Sequence, residues 1–417
     1  MDSNLQALSS FLTSKAFERI NIPIYQRSYD WKGSHVTQFL DDINYHLGNE
    51  NSEYQFLGMI VYVNKENQSK EIEIIDGQQR LTTYYLLLSV VYDWLRYERT
   101  RDFRLQEFTD RQKENIKTRA EKIRDVLYTS ASVQDCYYDE KEEGSSFLET
   151  KLYTDNTYKE DKRMTEYLLM DYYKLGYEIK RKEKIGIKAT NPLHVRQRLF
   201  FPAKKKKPII NMDVRTARSR PIAKNYKQIS EWFEKKFVNL KRDARYEELK
   251  KLTTVLTDKL NIIPFKTETH SEAFTLFEVL NDRGLQVSQA DLLKNLCIKK
   301  GETFASQKEM YDKWQDVIDD NLKEDNKIPF LRTSYNSKHD FIRKNELYAK
   351  YKSKIEEKNF EETCLYLDEE LAVDVENYNL CLLLGGKQLS SRIQNSISLL
   401  YHTYTTQWRS IVLALLR

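Results

Sequence analysis

The segment that most constrains this chain lies between Glu71 and Leu95. EIEIID, a short apolar strand, ends on Asp76; Gly77, Gln78, Gln79 and Arg80 follow; LTTYYLLLSVVYDWL then continues as a strongly apolar, partly buried helix. A strand that feeds a helix through a polar turn concentrates chemistry at one point of the backbone. YQFLGMIVYV forms a second apolar strand just upstream, separated by the polar segment NKENQSK. Further upstream, Ile22, Ile24 and Tyr25 mark a short extended segment. Ser34 is positioned to cap a helix whose Val36, Phe39, Leu40, Ile43 and Leu47 recur at helical spacing. The first 100 residues therefore read as a compact α/β unit.

Beyond it the pattern turns helical. Only 11 glycines and 7 prolines occur in 417 residues, well under the ordinary shares of about 7% and about 5%, so tight turns are too few for a many-stranded architecture. Tyr226, Ile229, Trp232, Phe233 and Phe237 mark one amphipathic helix, and Leu249, Leu252, Leu256 and Leu260 another, which leads into NIIPF as a strand. Phe274, Phe277 and Leu280 form a stripe before the turn Asn281-Asp282-Arg283-Gly284. Ser288 with Asp291 has the form of a capping box for a helix beginning near Gln289. Ile393, Ile397, Leu400 and Tyr404 share a helical face, and IVLALL nearly reaches the terminus. The expectation is an α+β chain in three parts: residues 1–100, a helical region 101–300, and a helical carboxyl-terminal region 301–417. An apolar ending of this kind suggests a missing partner surface.

Charge is nearly balanced overall, at +5, but residues 181–220 hold 13 basic against 2 acidic residues, including Lys204-Lys205-Lys206-Lys207. Such a block suits salt-dependent phosphate contact with DNA, or serves as a solvated loop. Cys136, Cys297, Cys364 and Cys381 have no paired spacing, which fits a reducing compartment and leaves neither a zinc knuckle nor a disulfide framework. The amino terminus lacks a signal-peptide pattern, and no run reaches the about 18 apolar residues of a membrane span, so a cytoplasmic location without membrane contact is expected.

At Asp76-Gly77-Gln78-Gln79-Arg80, helix-end amides and a flexible glycine make an anion site, Arg80 can fork onto phosphate oxygens, and Asp76 can hold magnesium or position water. The plain alternative is a turn in which Asp76 caps the helix and Arg80 pairs with it. Tyr25-Gln26-Arg27 offers a companion cluster: a ring to stack, an amide to read a base edge, a guanidinium for phosphate. An edge strand with ordinary polar tips explains it equally. The Asn281–Gly284 turn needs no function beyond joining two helices. Neither of the common glycine-rich phosphate loops occurs.

Ile22-Pro23-Ile24-Tyr25-Gln26-Arg27 with Trp31, the stretch Asp76 to Thr83, the segment FEVLNDRGLQVSQADLLK from Phe277 to Lys294 and the segment from Phe330 occur in an order that resembles the GmrSD-type domain, formerly domain of unknown function two-six-two. The resemblance implies a ParB/sulfiredoxin-like fold at the amino end, joined to a helical region. It also implies a place in bacterial type IV restriction of modified phage DNA, and a nucleoside triphosphate with Mg2+ at the Asp76–Arg80 turn. Mapped residue by residue, Asp76, Gln79 and Arg80 would be catalytic, Asp76 also the metal ligand, and Tyr25, Gln26, Arg27, Gly77 and Gln78 would shape the nucleotide pocket. Relatives often continue into a histidine-led nuclease domain, of which this sequence shows no trace; DNA cleavage would then belong to a further domain or subunit. The leading expectation is an NTP-binding, NTP-hydrolysing regulatory module. The alternatives are a self-contained metal-dependent endonuclease and a noncatalytic DNA-binding adaptor, and homo-oligomerisation stays open. A sulfiredoxin-like redox role is disfavoured because no cysteine adjoins the turn.

Overall fold

The computed structural model describes residues 4–23, 26, 29–49, 52–65, 70–100, 109–129, 149–154, 168–169, 220–238, 240–269, 272–273, 276, 289–301, 303–384, 389–403 and 405–417. Two compact units result, residues 1–269 and 270–417. The first runs well past the boundary expected at residue 100, because the chain returns after the basic block to complete the amino-terminal sheet.

That sheet has six strands: β1 (Gln6–Ala7), β2 (Arg19–Ile22), β3 (Gln55–Asn64), β4 (Glu71–Asp76), β5 (Leu152–Thr154) and β6 (Leu260–Thr267), in the order β1-β6-β3-β4-β2-β5. β4 is parallel to β2 and antiparallel to β3, while β3 is parallel to β6. β4 has neighbours on both edges, and its residues Ile72 to Ile75 are all buried, including Glu73, whose carboxylate accepts from Asn21 Nδ2 at 3.2 Å. β6 contains the expected NIIPF strand. Its Pro264 pairs with Ile60 on β3 and lies beyond the short β1 pairing at Asn261 and Ile262.

Between β1 and β2 lies the short helix α1 (Leu8–Leu12); α2 (Gly33–Gly48) and α3 (Gln78–Thr100) follow. Ser34 does not cap α2. The helix starts at Gly33, and the Lys32 backbone N–H donates to His35 Nδ1 at 3.1 Å, so the imidazole three residues on closes the first turn. The expected stripe of Val36, Phe39, Leu40, Ile43 and Leu47 is buried. Every residue of α3 from Leu81 to Leu95 is buried, which exceeds the partial burial its sequence suggests. α4 (Asp110–Leu127) and α5 (Pro221–Phe233) pack against it and close the faces that would otherwise be wet. Each large apolar side chain so enclosed contributes roughly 1.5–3 kcal/mol. Two buried hydroxyls of α3 reach backbone carbonyls of neighbouring segments: Tyr84 donates to the Leu256 carbonyl at 2.8 Å and Tyr85 to that of Val126 at 3.0 Å. α5 begins with Pro221, where a missing N–H costs nothing, and runs into a wide π turn, Glu234–Val238, that brings the Phe233 and Phe237 rings to 4.8 Å. α6 (Arg242–Thr254) then leads through a second π turn into β6.

Among its described residues the second unit is helical throughout: α7 (Gln289–Ile298), α8 (Phe304–Trp314), α9 (Glu324–Asn336), α10 (Leu347–Glu356), α11 (Phe360–Leu365), α12 (Ala372–Cys381), α13 (Ser391–Tyr401) and α14 (Trp408–Leu416). Two carboxylates tie it together. Asp319 meets Lys294 and Lys327, each at 2.7 Å; burial alone would raise its pKa, but the two ammonium groups outweigh that and hold it below the ordinary 3.8. Asp374, fully buried, meets Arg417, Ser334 and Lys338, the last at 3.1 Å. Cys297, Cys364 and Cys381 are free and buried, and burial pushes the Cys297 thiol up to about 12. In α14 Leu413 is buried, whereas Ile411 and Leu415 are exposed. No helix among the described residues is long and apolar enough to cross a membrane.

Candidate functional site

Gly77 stands between β4 and α3 with φ +94°, a left-handed conformation that glycine adopts without strain. It is also close-packed: a Cβ there would lie 3.0 Å from Ile60 Cγ1 and 3.3 Å from the Met59 carbonyl oxygen. The Gly77 carbonyl accepts the first helical bond, from the Leu81 N–H at 3.0 Å. Gly77 thus occupies the capping position of α3, and Asp76 closes the strand. The turn is set against β3 by its own backbone shape.

Arg80 faces inward, toward β3. Its Nη2 donates to the Met59 carbonyl at 2.9 Å and approaches Asp76 Oδ2 at 3.5 Å, while Nη1 donates to the Leu57 carbonyl. Burial lowers the guanidinium pKa from its ordinary value, and the Asp76 carboxylate opposes the shift. Both side chains of the pair remain about one quarter open to solvent, at 24% for Asp76 and 23% for Arg80. β3 accommodates the guanidinium with a bulge: its register against β6 shifts between Phe56 and Met59. Within the bulge Gly58 has φ +99°, and a Cβ on it would stand only 1.8 Å from Arg80 Nη1. Gly58 is therefore a site residue that periodicity does not reveal; its one signal is a glycine inside an apolar strand pattern.

The two glutamines knit the turn to the first polar cluster. Gln79 Oε1 accepts from the Asp30 N–H at 3.1 Å, and Gln26 Nε2 donates to the Ile75 carbonyl at 2.9 Å, one residue before Asp76. Gln26, Gln78 and Gln79 are all buried. One helical turn along, Thr83 Oγ1 donates to the Gln79 carbonyl at 2.9 Å and sits 2.7 Å from the Tyr29 hydroxyl. Asn225, from α5, donates to that same hydroxyl at 3.2 Å and to the Trp31 carbonyl at 2.6 Å. Burial raises the Tyr29 pKa, while its bonds to Thr83 and Asn225 pull the other way. The structure thus brings Gln26, Asp76, Gly77, Gln78, Gln79 and Arg80 to one end of the sheet, joined by Gly58, Tyr29 and Asn225. Tyr25, Arg27, the basic run Lys204–Lys207, the Asn281–Gly284 turn and Ser288 lie outside the described residues. The expected convergence of Arg27 on Arg80 falls there as well.

Among the described residues no group of three or more His, Cys, Asp or Glu side chains stands within range of a common metal ion. A magnesium ion at Asp76 would take its other ligands from phosphate oxygens and water, a donor set that magnesium commonly accepts with one carboxylate. Asp76 fits that part.

A glycine-hinged polar turn between a central strand and a buried helix, locked to a second polar cluster, places this chain among α+β proteins that carry their site on a sheet-end turn. Residues 8–298 match the family described as GmrSD restriction endonuclease, N-terminal domain, and the chain belongs to that family. The match covers β2 to β6 of the sheet and extends to the end of α7, and the ParB/sulfiredoxin-like α+β region followed by helices is the fold found here. No curated protein matches the chain.

Proposed function

We propose that residues 76–80 bind a nucleoside triphosphate with magnesium and hydrolyse it as the regulatory step of a restriction system directed at modified DNA. Family membership connects the chain with restriction. The observation that carries the nucleotide reading is the turn itself: Asp76, held at a strand end with a quarter of its side chain open to solvent, stands beside the first turn of α3, whose dipole favours an anion. In this reading Asp76 holds the metal and orients the attacking water, and the amide end of α3 takes phosphate oxygens. Gln79 and Gln26 hold the turn rigid through their buried bonds. Arg80 keeps Asp76 in place from below and adds positive potential, with its guanidinium anchored on β3 so that little reorganisation is needed at the moment of reaction. Magnesium, when bound, neutralises charge on the transferred phosphoryl group.

Cleavage of DNA would fall to a further domain or subunit. A time course on modified and unmodified plasmid, with nucleotide and magnesium, separates the readings. Phosphate release without efficient cutting is expected. Efficient cutting by this chain, abolished in Asp76→Asn, would establish the self-contained nuclease instead, and DNA binding with neither activity the adaptor.

A further inference from the structure

The helical unit carries a second concave site, remote in sequence from the turn and independent of the reading above. A groove of about 890 Å3 opens between α9, the segment Phe341–Lys344 and the start of α14. Arg332, Lys344 and Arg409 line it, against one carboxylate, Asp325. Several cations elsewhere in this unit are spent on carboxylates, among them Lys294 and Lys327 on Asp319 and Lys338 and Arg417 on Asp374. None of the three groove cations makes an ion pair among the described residues. Arg409 is set in place by aromatic packing instead: its guanidinium lies 5.8 Å from the Tyr378 ring centre, and Nη1 donates to the Tyr378 hydroxyl at 3.4 Å. Its Nε is buried without an acceptor.

Beside these charges stands Phe341, 70% exposed. A solvent-facing phenylalanine is costly in isolation, but at the edge of a cationic groove it supplies what the cations lack, a flat surface for a base. Three unpaired cations for phosphate, a ring for stacking and a volume within the usual range for small-ligand sites belong together chemically. We infer that this groove binds a nucleotide, its phosphate on Arg332, Lys344 and Arg409 and its base against Phe341. The same chemistry is offered by a free mononucleotide and by one nucleotide of a single strand.

The test uses the full chain and three probes: inorganic phosphate, thymidine monophosphate and a fluorescent oligothymidylate. Binding is followed over a salt series. The double variant Arg332→Gln/Lys344→Gln should weaken oligothymidylate at least tenfold, and its logarithmic salt slope should fall by about 1.4, or about 0.7 for each phosphate contact. Phe341→Ala, at an exposed position and so safe for folding, should weaken both nucleotide probes by about 5-fold to 100-fold and leave inorganic phosphate unchanged, the scale of one lost base stack. Asp325→Asn should tighten all three. Tight oligothymidylate binding with weak monophosphate binding assigns the groove to a strand, and equal affinity assigns it to the free nucleotide. Groove variants that bind every probe like the parent would overturn the inference, as would failure of the parent to bind any probe. Asp76→Asn separates this site from the turn: it should leave these affinities unchanged, and loss of binding in Asp76→Asn alone would move the ligand to the turn.

Discussion

Replacing Gly58 by alanine probes the site through a residue that is neither charged nor polar. At φ +99° a side chain is strained, which costs about 1–2 kcal/mol. The new Cβ would also stand 1.8 Å from Arg80 Nη1, so the guanidinium has to swing away. The side chain is flexible, but its end is tied to the Leu57 and Met59 carbonyls, and breaking such a charged hydrogen bond costs about 1.5–3 kcal/mol. The sum, about 2.5–5 kcal/mol, is a large fraction of the 5–15 kcal/mol that typically separates folded from unfolded states. Thermal unfolding should shift down by about 5–20 °C, at about 2–4 °C per kcal/mol for a unit of this size. The decisive version is a double-mutant cycle. In an Arg80→Ala background the clash is absent, and Gly58→Ala should cost only its backbone part of about 1–2 kcal/mol, leaving a coupling of about 1.5–3 kcal/mol. Equal penalties in both backgrounds would refute the claim that Gly58 exists to admit Arg80.

Arg80→Ala itself should destabilise the first unit by about 2–4 kcal/mol in urea titration, because it strands the bulge carbonyls of β3; a stable variant that merely loses nucleotide would show that the inward bonds contribute little. In the helical unit, the Asp319 pKa is depressed by its two lysines, so its contribution to stability is complete above the unfolded value of about 3.8 and disappears as pH falls through the lower folded value. Asp319→Asn should therefore weaken the parent at pH 6 and flatten the loss of stability below pH 4; parallel stability curves down to pH 2 would contradict the assignment. If the 181–220 block contacts DNA, changing Lys204 to Lys207 to alanine should weaken many duplex sequences alike and lower the logarithmic salt slope by about 0.9 per lost contact, whereas identical slopes would return the block to a solvated loop.

Local pattern was legible where one element decides it. β3, β4, the turn at Asp76 and the strand after Leu260 were all readable from apolar runs and their breaks, and so was the helical character of the carboxyl-terminal unit. What escaped depends on partners distant in the chain. Arg80 reads as a phosphate ligand or as a partner of Asp76, and its bonds to the Leu57 and Met59 carbonyls escape because periodicity says nothing of the bulge 21 to 23 residues earlier that accepts them. Asn225 reads as an ordinary helix residue, yet it reaches across 196 residues to Tyr29 and helps hold the turn's neighbours. Ser34 has the right chemistry for a cap and loses the position to a histidine side chain one residue on. The unit boundary escaped for the same reason, since only the pairing of β6 with β3 draws residues 260–267 back to the first unit.

The account depends most on Asp76 being a nucleotide-linked metal ligand. Calorimetric titration of the full chain with a nucleoside triphosphate, with and without magnesium, tests this directly when parent and Asp76→Asn are compared. Asp76 is partly exposed, so the variant should stay folded. Magnesium should tighten binding at least tenfold in the parent and have no effect in the variant. Equal magnesium enhancement in both proteins, with circular dichroism showing both folded, would contradict the claim.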